Sequence, residues 1–409
     1  METLTRQLVV IVVMGWLFFC AMPPVAAEHP LEPFTLIFNA EPRAGDMNLD
    51  GLVDWLDLLE FGNYWLLPEG AGHDATWERA DTYRDGSVDG MDFALLANNW
   101  RMPREIQPDA GWEWIDTGFN YILMDFEFPE GQSRIGYAVG ESQTYKGEGI
   151  VIKTTDGGDT WTRLTPEGIP GLEAMSFVDV NTGYAAGWDD YVIKTADGGI
   201  TWDTVVVPSG MTVIADIEFR DPNHGILLEG MNVYITEDGG QMWTTGTGIT
   251  QVCHEVTFAN EHTLFAVGNA GYVFKSTDAG YTWISVHRGV REDLLLGVDF
   301  LDETFGIAVG DYSSIVSTFD GGKTWSRVWL AGDMLLKSVC VLDADTAYLC
   351  GTPEYVFKTT DGGAAWVSDY DGNWERAFNR VRFADDGTGF ICGGGGILLR
   401  KAWRGPSPQ

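Results

Sequence analysis

Three features of the 409-residue sequence predict a mainly β chain, a seven-bladed β-propeller preceded by a small all-α calcium-binding module. An eight-residue phrase recurs every 40 to 42 residues, two shorter phrases recur seven times on the same period, and a twelve-residue acidic loop occurs twice before them. A fixed period near 40 residues, made of short apolar segments, marks a ring or stack of identical supersecondary units. Alternation such as Tyr191-Val192-Ile193-Lys194, set between dense glycine turns, selects strands and hence a propeller.

The first segment, residues 1–27, reads as a signal peptide. Arg6 lies in a short polar start, an apolar run extends from Leu8 to Met22, and Val25-Ala26-Ala27 places small residues ahead of a cleavage before Glu28. A run of about 15 residues is short of the roughly 20 that span a bilayer. Cys20 follows the bulky Phe19, which does not suit a lipoprotein site. The expectation is export to a secreted or cell-surface location, with no membrane span in the mature chain. Residues 28–44 form a linker.

Residues 45–101 carry the two acidic loops. In the first, Asp46, Asn48, Asp50, Asp54 and Asp57 fall at loop positions 1, 3, 5, 9 and 12, with Gly51 at position 6 and the Leu52 carbonyl at position 7. This spacing wraps a chain around a hard cation with oxygen ligands. An apolar helix is expected from Leu56 to Leu66. The second loop offers Asp81, Asp85, Ser87, Asp89 and Asp92, but Tyr83 stands where an oxygen ligand belongs, so two Ca2+ sites are expected with the second weaker. A helix is expected again over Phe93–Trp100. Two such loops, each leading into a helix, resemble a type I dockerin, and that resemblance implies a cohesin-like docking partner. Positions 10 and 11 read Trp55-Leu56 and Gly90-Met91, which departs from the usual docking pair. Residues 102–110, with Pro103 and Pro108, form a second linker.

The propeller is expected over 111–404, with a tail at 405–409. Its signature phrase, Thr/Ser-x-Asp-x-Gly-x-x-Trp, pairs Asp156 with Trp161, Asp197 with Trp202, Asp238 with Trp243, Asp278 with Trp283, Asp320 with Trp325 and Asp361 with Trp366. Phrases such as Phe177-Val178-Asp179 and Gly183-Tyr-Ala-Ala-Gly187 occur seven times, one more than the Asp phrase. The missing outer strand is expected from Trp112-Glu-Trp114-Ile-Asp-Thr, so that residues 111–117 complete the last blade and leave no open edge. In each phrase glycine frees the turn, the aspartate accepts amide N–H bonds across it, and the tryptophan fills the gap between blades. These carboxylates are expected to be structural, because the symmetry spreads them around the rim.

The phrase is the Asp-box (BNR repeat) of sialidases, xyloglucanases, sortilin-type receptors and photosystem II assembly factors. The 41-residue spacing and wording such as Lys153-Thr-Thr-Asp156-Gly-Gly-Asp-Thr-Trp161 most resemble the photosystem II stability/assembly factor family over roughly 111–401. That resemblance implies a seven-bladed, non-enzymatic binding platform. Ligand contacts are expected on the loop face, from Trp188, Asp189, Arg291, Tyr312 and Trp374. Exposed aromatics beside carboxylates suit a protein patch or a glycan.

The alternative is a glycoside hydrolase, sialidase- or xyloglucanase-like, acting in polysaccharide degradation. Sialidases need an arginine triad. Arg134-Ile135-Gly136 lacks the proline of their first arginine phrase, and Arg220 and Arg382 read as isolated. A net charge of −35, with 8 lysines, excludes nucleic acid as a partner. The histidines are scattered, and His254 and His262 are expected at the surface. Cys253, Cys340, Cys350 and Cys392 read as small buried hydrophobes, with a Cys340–Cys350 disulfide as an open alternative.

Overall fold

The computed structural model describes residues 111–401 apart from 144–146, 166–167, 209, 211, 290–292, 331–333 and 372–375. The expected signal peptide, both expected linkers, the expected all-α module at 45–101 with its two loops, and the 405–409 tail therefore lie outside the described residues.

Short runs of alternating or fully apolar residues, cut by glycine turns, form seven four-stranded antiparallel sheets, the seven blades of the expected propeller. The innermost strands are Ile122–Glu127, Leu172–Phe177, Asp216–Phe219, Cys253–Phe258, Leu295–Phe300, Leu335–Val341 and Phe378–Phe383, and they number the blades 1 to 7. In the last blade the order is Phe378–Phe383, Gly389–Gly393, Ile397–Lys401, then Trp112–Asp116. The N-terminal strand pairs antiparallel with Ile397–Lys401, from Trp112↔Lys401 to Asp116↔Ile397. The ring is thus closed by hydrogen bonds between the two ends of the propeller, which removes the free edges.

Seven apolar clusters lie between successive blades, and each holds one tryptophan. Six of these belong to the Asp phrases: Trp161, Trp202, Trp243, Trp283, Trp325 and Trp366. The seventh is Trp112, between blades 6 and 7, where blade 7 has no Asp phrase. It lies edge-on to Phe383 at 6.4 Å, much as Trp202 meets Phe177 and Trp243 meets Phe219 at 6.3 Å.

The turns follow one scheme. Asp197 Oδ1 accepts the Thr201 N–H at 2.9 Å, and Asp238, Asp278, Asp320, Asp361 and Asp156 accept the amide four residues on in the same way. The preceding hydroxyl, as in Thr195, donates to the aspartate at 2.9 Å and accepts the buried Gly199 N–H at 2.8 Å. The first glycine carries a positive φ, as at Gly198 (73°), a region that only glycine enters without strain. The Thr195 side chain is buried. Thr195→Val keeps its shape but strands the Gly199 amide, so we expect a loss of about 1–3 kcal/mol in a chemical-denaturation midpoint series. A loss below a few tenths would show that the hydroxyl bond contributes little.

The four described cysteines, Cys253, Cys340, Cys350 and Cys392, are buried free thiols. Cys340 lies opposite Tyr348 and Cys350 opposite Ser338, so the disulfide alternative does not occur.

Candidate functional site: the central channel and its mouth

The inner strands carry alternating side chains, one set packed between sheets and the other turned to the propeller axis. A register shift near the start of six of them, for example between Leu123 and Asp125 and between Phe378 and Arg380, adds one residue there. Such a bulge re-aims the side chains that follow it. The axial set includes Asp125 and Glu127, Asp216 and Glu218, Glu255, Asp299, and Arg380 with Arg382.

These groups tie neighbouring blades together. Asp125 and Glu127 accept the Met175 and Phe177 amides of blade 2 at 3.2 and 2.8 Å. Ser176 accepts from Phe219, Asp216 from Val256, Glu255 from Val298, Asp299 from Val341 and Ser338 from Val381, all between 2.6 and 3.3 Å. At the last junction Asn379 Nδ2 donates to the Leu123 carbonyl at 2.9 Å. Arg380 Nε bonds Asp125 at 2.7 Å, and its Nη1 reaches across the axis to Glu255 of blade 4. Arg382, which looks isolated in the sequence, stands beside Arg380 on the same strand, in the fields of Asp125, Glu255 and Asp299. The channel carboxylates are thus committed to blade pairing, and the rim aspartates to their own turns.

Burial dominates the electrostatics. It raises Glu127 and Asp216 to about 7 and Asp299 to about 6, with Arg382 or Arg380 pulling back, and lifts Glu218 well above the carboxylate range. In the folded state these carboxyls hold protons that the unfolded chain, with carboxylate values of about 4, releases. Their contribution to stability is therefore present at low pH and lost as pH rises from about 4 to about 7. The rim acts oppositely. Thr160 holds Asp156 at about 2, chiefly through its hydroxyl, and the Thr324 amide and hydroxyl hold Asp320 at about 2. That stability is lost as pH falls from about 4 to about 2. Thermal midpoints measured from about pH 3 to 9 should peak between about pH 4 and 6; a midpoint that rises from pH 5 to 8 would contradict the assignment.

The loop-face mouth brings Trp188 to the channel. The indole lies beside the Glu141 and Glu173 carboxylates, and burial, aided by the Glu141 charge, raises Glu173 to about 7. Lys337 is held partly desolvated with its Nζ on Asn379 Oδ1 at 2.7 Å. Asp189, at φ 59°, follows Trp188 in the same turn. Tyr312, at φ 51°, sits on blade 5, so the structure does not bring it beside Trp188. Arg291 and Trp374 lie outside the described residues. His254, expected at the surface, instead lies on the inner strand of blade 4, partly buried, with Nε2 2.8 Å from Asn269 Oδ1. Sequence reasoning missed the channel set, although polar residues two apart in apolar strands (Asp216/Glu218, Arg380/Arg382) were a visible signal.

Residues 289–370 match the family of photosynthesis system II assembly factor YCF48, and residues 44–99 match the dockerin type I domain. The chloroplastic photosystem II stability/assembly factor HCF136 of Arabidopsis thaliana is 24% identical over 322 residues, 68% of this chain and 75% of that protein. A YCF48 structure bound to a D1 peptide superposes with a TM-score of 0.59 at 19% identity, covering 72% of this chain and 95% of that one. The propeller is photosystem II assembly-factor-like. YCF48 from Cyanidioschyzon merolae gives a TM-score of 0.57 at 16% identity, over 71% of this chain and 98% of that one. These relatives accord with a binding role for the assembly-factor-like propeller, and they give no support to a cohesin or glycan partner or to polysaccharide degradation. They also correct the expected location: the curated relative is chloroplastic, not a secreted or cell-surface protein. Among the described residues no helix is long and apolar enough to cross a membrane.

Proposed function

We propose that this chain is a non-enzymatic binding platform whose propeller takes a protein segment at the loop-face mouth of the central channel. The observation that carries the reading is the mouth itself, Trp188, Glu141, Glu173 and Lys337 around a polar shaft, on a scaffold similar to one solved with a D1 peptide. An indole next to carboxylates and a lysine offers an apolar face and both signs of charge to an extended peptide. The channel carboxylates serve blade pairing, which favours binding over catalysis. Calorimetric titration of the full chain with the D1 peptide is the test. Binding is expected, weakened at least about tenfold in Trp188→Ala and in Lys337→Met, which corresponds to about 1.4 kcal/mol. No binding, or binding indifferent to both substitutions, would exclude the mouth.

The N-terminal loops are proposed to bind calcium through Asp46, Asn48, Asp50, Leu52, Asp54 and Asp57, and more weakly through Asp81, Asp85, Ser87, Asp89 and Asp92. The support is the ligand spacing and the dockerin match over 44–99. Calcium titration of the full chain should resolve one strong and one weak site, the strong one lost in Asp50→Ala. Absence of any saturable calcium binding would remove this part of the reading.

A further inference from the structure

Four of the seven blade junctions are filled by one device on the Asp-phrase side. Lys153 of blade 1 donates to the Gly198 carbonyl of blade 2 at 2.8 Å, with its Nζ 5.0 Å from the centroid of the Tyr137 ring. The Tyr137 hydroxyl bonds the Val180 and Gly198 carbonyls, and its ring stacks on Phe177 at 3.7 Å. Lys194 with Tyr184 repeats this towards Gly239 at 3.1 Å, and Lys275 with Phe265 towards Gly321 at 2.7 Å. Arg400 caps the Gly157 carbonyl at 3.1 Å. In each case a cation from one blade satisfies the carbonyl just after the box aspartate of the next.

The junction from blade 3 to blade 4 lacks both parts of the device. The strand register that pairs Tyr137 with Lys153 in blade 1 pairs Ile226 with Ile235 in blade 3. Among the described residues no lysine reaches the residue after Asp278, which is Ala279, held at φ 59° where the other phrases have glycine. In place of the plug there is a cavity of about 450 Å3, lined by Ile235, Glu237, Phe258, Asp278, Ala279 and Tyr281 among others. The junction from blade 5 to blade 6 also lacks the pair, with Ile307 and Ser317, but there Phe319 stacks on Phe305 at 4.8 Å and reaches the turn of blade 6. The residue equivalent to Phe319 in blade 3 is Glu237, whose carboxylate accepts from the Tyr281 hydroxyl at 2.9 Å at the edge of the space.

We propose that this cavity is a binding site for a lysine side chain of a partner protein, which would supply in trans the cation that Lys153, Lys194 and Lys275 supply in cis. The slender stem would run along Ile235 and the Phe258 ring, and the ammonium would donate to the Ala279 carbonyl beside Asp278 and Glu237. Arg220, His224 and His262 also line the cavity, where Arg220 is engaged with the Glu261 carbonyl and Asp221, and the His224 ring lies 2.8 Å from Asp221. The net charge of −35 favours the approach of a basic segment.

The test compares acetyl-Gly-Lys-Gly-amide with its norleucine counterpart by calorimetry and amide chemical-shift perturbation of the full chain. Saturable binding of the lysine peptide is expected, at least about tenfold tighter than norleucine, with shifts clustered at Ala279 and Glu237. Glu237→Gln should weaken it several-fold. Ile235→Lys, which rebuilds the internal plug, should abolish it while preserving the fold. Trp188→Ala should leave it unchanged, which separates this site from the channel mouth. Equal binding of the two peptides, shifts elsewhere, or retained affinity in a folded Ile235→Lys variant would each overturn the proposal.

Discussion

Replacing Arg380 by methionine is expected to cost about 3–5 kcal/mol of stability, the largest single-residue effect in the channel. Methionine fills a similar volume, so the loss isolates the charge and its bonds. Arg380 bonds Asp125 on blade 1 and Glu255 on blade 4, and its field acts on Asp216 of blade 3. Asp125, Asp216 and Glu255 are 3%, 4% and 5% exposed, so their charge has no solvent to fall back on once the guanidinium is gone. Urea denaturation at pH 7 measures the loss. Part of it should be recovered near pH 5, where Asp216, raised to about 7 by burial, takes up a proton and no longer needs a counter-charge. Arg380→Lys keeps the charge but loses the two-pronged bond, and should fall between wild type and the methionine variant. A loss in Arg380→Met below about 1 kcal/mol, or one that does not change with pH, would mean that the channel is hydrated enough to screen its charges.

Trp112→Ala is expected to cost about 3–5 kcal/mol, a typical figure for truncating a buried tryptophan. Trp112 is 3% exposed, lies edge-on to Tyr348 and Phe383, and donates its indole N–H to Asp369 at 2.7 Å. Its position gives the loss a second consequence. The strand that carries it closes the ring, so weakening it exposes the Ile397–Lys401 edge of blade 7. Exposed apolar edges pair with other chains, and the variant should aggregate on partial heating where wild type stays monodisperse by light scattering. Trp114, two residues on and 48% exposed, is the control, and its alanine variant should change the midpoint little. Equal effects at Trp112 and Trp114 would show that the closing strand is held by its backbone bonds alone.

The repeat made the blade number legible because each blade repeats the same local problem. A box aspartate must satisfy amides four residues away, and the chemistry of that turn is written within eight residues of sequence. The channel was not legible in the same way. Period-2 alternation marks Asp216 and Glu218 as sharing one face of their strand, but it does not say whether that face meets solvent, a neighbouring sheet or the axis. His254 was misplaced for this reason, since a histidine in a half-polar strand looks the same at a surface and at a channel mouth. Arg382 looked isolated because its company comes from blades 1, 4 and 5, far away in the chain.

From sequence alone follow the seven blades, the turn chemistry of the Asp phrases and the likeness to photosystem II assembly factors, all of which rest on local wording and its period. The tertiary structure alone decided which charges meet on the axis, where Arg380 joins Asp125 and Glu255 across 255 and 125 positions of chain. It alone also showed that Ile226 and Ile235 stand where other junctions place an aromatic ring and a lysine, so that this one receives no cation. In sequence that pair is an ordinary apolar alternation, and the cavity exists only because the neighbouring blade presents Ala279 and Asp278 to the space it fails to fill. Such contacts depend on the closure of the ring, and no window of sequence contains both sides of them.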